Sequence, residues 1–385
     1  MAKICMLVTN SVRKDPRVRK EAMSAISAGH DVTVIGIKDQ NYDQHFIDNA
    51  PYKIVLIDYI KNPYKRFHPM WFIAGATKAV KYNRGFIQEI LKVNPDLIHA
   101  NDYDTLSAGF HASKKCNAKL VYDSHEVATG SILAEKYKPV RTYIRLKEGH
   151  IIRKAYAVIS VSNAAAAYLA KLYSIPTPHV ITNCPAYYEL DAKTQRNPIF
   201  EVLYQGIMSH GRGYEEFIKS AKYSAREINY IIRGYGETKG ELIELAKREG
   251  VDDRVIFAAP VEINELIPIA AKSAVGVVLT MPVCINYNMT VSNKLFEYIQ
   301  AGLPVILSNV PEHVYLNDKY HIGIVIDEVT PEQIASAIDK LFKDRAFYDQ
   351  IKTNVLKAKR ELSWENFEEK LLDIYNANKH PSISE

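Results

Sequence analysis

Cysteine is scarce in this sequence. Cys5, Cys116, Cys184 and Cys284 are four among 385 residues, and their scatter offers neither a disulfide framework nor a cysteine zinc site. Long apolar runs are missing as well. The most apolar stretch, residues 155–170, is interrupted by Ser160, Ser162 and Asn163, short of the roughly 20 apolar residues that span a bilayer. The opening MAKICMLVTNSVRKDPRV lacks a long apolar centre with a small-residue cleavage site, so it reads as a first strand, Ile4 to Thr9, and not as an export signal. No GxGxxG follows that strand, which removes the nicotinamide and flavin fingerprint from the place it belongs. No histidine stands in HxxE or HxH spacing, so no metal site is read. A reducing, cytoplasmic setting is the expectation.

What is present is a globular composition, 47% hydrophobic and 24% charged, on a chain long enough for two α/β domains. Short β-rich runs alternate with amphipathic stretches: KICMLVT, DVTVIGI, YKIVLID, DLIHA, AKLVYDS and AYAVISVS, then EVLYQG, NYIIRG, RVIFAAP, AVGVVLT, PVILSN and IGIVID. Such βαβ punctuation predicts two doubly wound sheets. The polar, proline-containing ITNCPAYYELDAKTQRNPIF has no clear period and suits the connection. The expected domains are residues 1–185 and 186–363. A closing helix over residues 364–380, capped by Ser363, carries Trp364, Phe367, Leu371 and Ile374 on one face.

The net charge of +5 conceals an asymmetry. Residues 1–185 hold 26 Lys and Arg against 15 Asp and Glu. A basic half attracts an acidic partner, unless it is ordinary surface charge.

In open α/β sheets, ligands bind beyond the carboxyl ends of the strands. After the first strand, Asp15 can cap a helix and Pro16 suits its first turn, placing Arg17 at the helix entrance. The loops after the fourth and fifth strands gather His99, Asp102, Asp104, Asp123, His125 and Glu126 near one edge, a density suited to general acid/base or hydroxyl-binding work. In the second half, YQGIMSHGRGYEEF frees the backbone at Gly206, Gly211 and Gly213 and sets Arg212 beside a helix start, an arrangement suited to phosphate. Gly234 and Gly236 end the next strand similarly. In NMTVSNKLFEYIQAGLPVILSN, a helix from about Ser292 to Ala301 points the amides of Ser292, Asn293 and Lys294 at a ligand, with Glu297 one turn on.

At these residues the chain resembles the glycogen-synthase-like retaining glycosyltransferases, in particular glycosyltransferase family 4. DPRVRKEAMSAISAGHDVTVI is similar to that family's first helix and second strand, YDSHE to the loop with its histidine, and SNKLFEYIQAGLPVI to its donor-binding segment. The resemblance implies a GT-B fold: α/β, two Rossmann-like doubly wound domains facing across a cleft, with the closing helix returning to the first domain. It implies a nucleotide-sugar donor, UDP- or GDP-sugar, no cofactor and no required metal. Arg212 would then bind the diphosphate, Glu297 the ribose hydroxyls, Val261 the nucleobase through its backbone, and His125 the transferred sugar. Two positions depart from the family pattern: Met289 stands where a glutamate is usual, eight residues before Glu297, and Ile207 where an arginine often follows Gly206.

Two readings of other classes stay open at this point, a nucleotide-sugar epimerase of like architecture and a nonenzymatic sugar-nucleotide-binding partner. The acceptor expected is a glycan or a lipid-linked sugar in cell-surface assembly, with Arg17, His99 and Asp102 on the acceptor side and His125 and Glu126 as the catalytic residues. Residues 59–84 mix Lys61, Lys65, Arg66 and Lys78 with Tyr64, Phe67, Trp71 and Phe72, a composition suited to peripheral contact with anionic membrane on its inner face, or to an ordinary packed loop and helix. No recognised module accompanies a nucleic-acid role.

Overall fold

The structure is a computed structural model that describes residues 1–61, 71–190, 197–289 and 291–377. It divides into two units, Met1–Ile181 with Glu368–Glu385, and Thr182–Phe367. The division falls at Ile181, slightly before the connection expected near residue 185. The return falls at Glu368, within the closing helix Trp364–Asn376.

In the first unit the strands are β1 (Lys3–Leu7), β2 (Asp31–Ile37), β3 (Lys53–Ile57), β4 (Leu97–Asn101), β5 (Lys119–Ser124), β6 (Ala157–Ser160) and β7 (His179–Val180). They form one sheet in the order β3-β2-β1-β4-β5-β6-β7. Every described pairing is parallel. Helices therefore cover both faces, and the central strands read as continuous apolar runs; Ile4, Cys5, Met6 and Leu7 are all fully buried. The two-residue β7 is too short to announce itself by periodicity.

The second unit repeats the plan with β8 (Phe200–Gln205), β9 (Ile228–Arg233), β10 (Val255–Ala258), β11 (Val275–Val278), β12 (Val305–Ser308) and β13 (Gly323–Ile326). Their order is β10-β9-β8-β11-β12-β13. In each unit the first strand lies between its second and fourth, so the chain winds outward in both directions from one point. The loops leaving β1 and β4, and those leaving β8 and β11, therefore splay apart at that point and leave a crevice for a ligand.

Local signals explain the elements that frame those crevices. The helix Pro16–Ser27 begins where the Asp15 carboxylate accepts from the Val18 amide at 3.1 Å, with proline in the first turn where its missing N–H costs nothing. The helix Asn293–Gln300 stops at Gly302, whose φ of +69° suits glycine. The Ser363 hydroxyl donates to the Arg360 carbonyl at 2.9 Å, tying down the end of the preceding helix.

Of the segment expected to face lipid, Tyr64, Lys65, Arg66 and Phe67 lie outside the described residues. Lys78 places its ammonium over the rings of Tyr59 and Tyr82, at 4.6 and 5.4 Å.

Candidate functional site

In the first unit, the carboxyl ends of β4 and β5 and the start of the first helix bring five charged side chains into one network. Arg17, on the first turn, donates through Nε and Nη2 to Asp123 Oδ2 at 2.9 and 2.6 Å, and through Nη1 to the Ile181 carbonyl at 2.8 Å. Its Nε also lies 3.0 Å from Glu21, one turn along. Asp123 Oδ2 in turn lies 3.1 Å from His125 Nε2. On the other side of the ring, His125 Nδ1 is 3.1 Å from Asp102 Oδ2, and the His125 amide donates to Asp102 Oδ1 at 3.2 Å. Asp102 thus grips both backbone and ring of His125. It does so from a left-handed conformation, φ +62°, at the mouth of the helix Asp102–Cys116, a strained geometry of the kind found at functional sites.

The electrostatics follow from burial and pairing. Burial favours a neutral His125, but Asp123 and Asp102 together outweigh it and raise its pKa well above the ordinary value. Burial would also protonate Asp123, yet Arg17, and after it His125, holds that carboxyl well below the usual range. Glu21 goes the other way, because burial raises its pKa more than Arg17 lowers it. The site therefore presents a cationic imidazole, partly exposed, on a fixed anionic base.

Two expectations for this unit are corrected. Arg17 and His99 were assigned to the acceptor side, but both are buried, Arg17 in its ion pairs and His99 at 0% exposure. Neither presents a group to an acceptor. His99 Nδ1 is 2.6 Å from the hydroxyl of Tyr375, and its Nε2 faces Asp123 and Glu21 at 3.5 and 3.7 Å. Asp102 remains accessible beside His125, and Glu126 is exposed on the following turn. Glu21, His99 and Asp123 bring potential ligand atoms within 4.8 Å of one another. The Arg17 guanidinium stands against both carboxylates of this cluster.

In the second unit the corresponding crevice opens where β8 ends. Gly206 has φ +134°, and a Cβ there would come within 3.1 Å of the Lys294 ammonium. A Cβ on Gly234 would come within 2.0 Å of the Gly206 carbonyl oxygen, so these two strand ends meet backbone to backbone. Gly213, φ +68°, allows the turn into the helix Tyr214–Ser220 against Leu279. The fully buried Tyr204 ties this loop to the end of β11, its hydroxyl bonded to the carbonyls of Arg212 and Leu279. Arg212 lies over the Tyr287 ring at 4.4 Å.

Three further donors and acceptors complete this edge. The Gln205 side chain donates to Glu297 Oε2 at 2.6 Å, and its amide donates to the Tyr298 hydroxyl at 2.7 Å. Lys294 sits over Tyr204 at 4.6 Å. Burial and the neighbouring Arg212 lower its pKa to about 7, against the pull of Glu297. Ser292 precedes the helix Asn293–Gln300 without a side-chain cap bond, which leaves its first-turn amides directed outward. Val261 lies farther along, in the loop after β10. Met289 ends a short helix, Ile285–Met289, and Ile207 is 57% exposed beside Gly206. Sequence reasoning missed Gln205, Tyr204, Tyr287 and Tyr298, which carry no motif of their own, and His313, whose Nδ1 faces the Ser308 carbonyl at 3.1 Å. Burial lowers His313 to about 4.

Comparison with known proteins accounts for both units. Residues 18–184 match the Glycosyltransferase Family 4 model, and residues 191–358 match Glycosyl transferases group 1. An uncharacterized glycosyltransferase of Methanocaldococcus jannaschii is 23% identical over 298 residues, 73% of this chain and 75% of that protein. A D-inositol 3-phosphate glycosyltransferase of a Nocardioides species is 20% identical over 75% of this chain and 70% of that one. Among solved structures, sucrose-phosphate synthase from Thermosynechococcus elongatus superposes with a TM-score of 0.79 at 17% identity, covering 98% of this chain and 99% of that chain. The Anabaena protein HepE, solved with UDP and glucose, gives 0.74 at 15% identity, covering 98% and 100%. Two parallel sheets of this order with these matches define a glycosyltransferase of the GT-B fold. Within that class, the chain belongs to glycosyltransferase family 4.

Proposed function

We propose that the chain moves a sugar from a nucleotide-sugar donor to a glycan or lipid-linked acceptor, with retention of anomeric configuration and without a required metal. The observation that carries this reading is the end of β8. Glycine backbone, Arg212, the Lys294 ammonium and the first-turn amides of the helix Asn293–Gln300 converge there, with Glu297 held by Gln205. Such a set suits a diphosphate flanked by a ribose. A UDP- or GDP-sugar is the donor proposed. The complex of HepE with UDP and glucose supports a nucleotide-sugar site in a protein of this fold.

In this reading the acceptor hydroxyl attacks the anomeric carbon as the bond to the leaving phosphate breaks, and the hydroxyl proton passes to a leaving phosphate oxygen. Arg212, Lys294 and the helix amides stabilise the charge that develops on the diphosphate, in the manner of an oxyanion hole. His125, held cationic by Asp102 and Asp123, binds hydroxyls of the transferred sugar. Glu126 serves beside His125 as a catalytic residue, Asp102 lies on the acceptor side, and Val261 reaches the base through its backbone. A cytoplasmic enzyme at the inner face of the membrane, serving cell-surface polysaccharide assembly, fits this chemistry.

Thermal-shift and calorimetric titration with UDP-, GDP-, ADP-, CMP- and dTDP-sugars tests the donor assignment, because a ligand bound only by the native state raises its stability. Stabilisation by a UDP- or GDP-sugar, lost in the folded variants Arg212→Ala and Glu297→Ala, is the expected result. Full binding in both variants would overturn it. NMR of the product's anomeric proton then reads retention directly.

A further inference from the structure

Five of the exposed large apolar side chains described in the first unit lie within one short stretch. Ile132, Leu133 and Tyr137 are 59%, 37% and 40% exposed, and Tyr143 and Leu146 are 62% and 70% exposed. They lie on the helix Ile132–Lys136 and on the helix that follows it, Lys138–Ile152. Scattered surface leucines are ordinary, but five such side chains within fifteen residues form a patch of the kind that marks a docking surface.

The longer helix has a fixed orientation. Glu148 is buried and accepts from the hydroxyls of Tyr122 and Tyr173 at 2.7 and 2.6 Å, and a Cβ on Gly149 would press on Tyr173 at 3.0 Å. At 100° per residue, Tyr143 and Leu146 fall on the face opposite Glu148, with Pro139 and His150 beside them. The core side is therefore settled by the Glu148 anchor, and the apolar outer face is held outward.

Charge selects the partner. By the same helix phase Lys147 flanks Tyr143, Lys138 and Arg145 border the apolar face, and Arg141 falls on the side of Glu148, which is turned inward. Lys136 and Lys138 are exposed where the two helices join, and Glu135 is partly buried. Two of the cations lie along aromatic rings: Lys147 is 5.5 Å from Tyr103 and 5.9 Å from Tyr143, and Lys136 is 5.8 Å from Tyr137. Apolar and aromatic tips flanked by long cationic side chains match a bilayer interface, where the tips enter the acyl boundary and the cations reach the headgroups. A protein partner would need a groove of matching shape, whereas a bilayer asks only for this gradient of polarity and an acidic headgroup.

We propose that residues 132–147 dock on a bilayer of anionic lipid. The patch begins seven residues after His125 in the sequence, so docking would bring a membrane-borne acceptor to the loop of that histidine. This purpose rests on the lipid-linked acceptor proposed above; the docking itself does not.

Flotation of the full chain with vesicles of phosphatidylcholine, alone or mixed with phosphatidylglycerol, tests the proposal. The expected result is binding to the anionic vesicles alone, weakened by salt. The double variant Tyr143→Ser, Leu146→Ser should lose about tenfold or more in partitioning. Arg145→Gln should lose about fivefold. Donor-induced thermal stabilisation, measured on the same preparations, should be unchanged in all of them. That measurement separates the two ideas, since failure of donor binding leaves the docking result intact. Equal binding to neutral and anionic vesicles would overturn the proposal, and so would undiminished binding by both variants. A dimer in sedimentation velocity that Leu146→Ser dissolves, with no vesicle binding, would assign the face to a second copy instead.

Discussion

The hydroxyl of Tyr375 meets Nδ1 of His99 at 2.6 Å across 276 residues of chain. With the phenol donating, the imidazole carries its proton on Nε2, directed at the carboxylates of Asp123 and Glu21. Tyr375 thereby selects the tautomer that the base of His125 needs. Tyr375→Phe should cost about 1–3 kcal/mol in urea denaturation, the penalty for a buried acceptor left unpaired. Unchanged stability would show that the phenol contributes no net hydrogen bond.

His125 should remain protonated beyond neutrality. Burial opposes this, but Asp123 and Asp102 prevail and raise the native pKa above the 6.5 of an unperturbed histidine. The stability this gives is complete below pH 6.5 and is lost as pH rises through the native value. Imidazole NMR titration reads it directly. Asp102→Asn should lower the His125 midpoint, and a midpoint unmoved by that change would contradict the pairing.

Lys294 gives the opposite sign. Its native pKa, lowered to about 7 from 10.5, means that the unfolded chain binds the extra proton between these values. Stability should therefore rise with pH across that window, from a penalty that is full below pH 7. Lys294→Met should relieve part of that penalty, by about 1–2 kcal/mol for this largely buried group at the mouth of the crevice. A bound diphosphate would draw the proton back, so affinity for UDP-glucose should fall as pH rises past 7. Lys294→Arg should flatten that dependence, as calorimetry at several pH values would show.

Gly234→Ala should be among the most damaging small substitutions. The new methyl would stand 2.0 Å from the Gly206 carbonyl oxygen, at a backbone φ of +142°. Backbone on both sides leaves nothing to yield, and a loss of about 3 kcal/mol or more is expected. Ala at Gly240, which would meet nothing within 4 Å, serves as the control.

Much of the fold was legible because parallel strands buried on both faces are written as unbroken apolar runs. VYDS and YQG announce both a strand and the loop at its carboxyl end, which is why His125 and Asp102, or Arg212 and Gly206, could be placed at sheet edges from residue type alone. The partners of these groups were not legible. Arg17 reaches Asp123 across 106 residues and Gln205 reaches Glu297 across 92, and no local pattern records such pairings. For the same reason His99 reads as an exposed loop histidine and is found buried. Residues 59–84 read as a basic and aromatic surface because those residue types are dense there; the exposed apolar groups of residues 132–147 are diluted in sequence by inward neighbours such as Glu148 and Gly149, and only the helix phase separates them.

The return of the last helix bears on how the chain is made. Leu371, Ile374 and Tyr375 are buried, and Tyr375 closes the polar cluster of the first unit. On the ribosome, the sheet of that unit emerges complete by Val180, yet His99 waits for its phenol through roughly two hundred further residues, about 10–40 s of synthesis. The nascent first unit must meanwhile hold Arg17, Glu21 and Asp123 under an unfinished cover. Chains cut short before residue 375 would keep the sheet but leave His99 without its phenol and the charged cluster beside it uncovered.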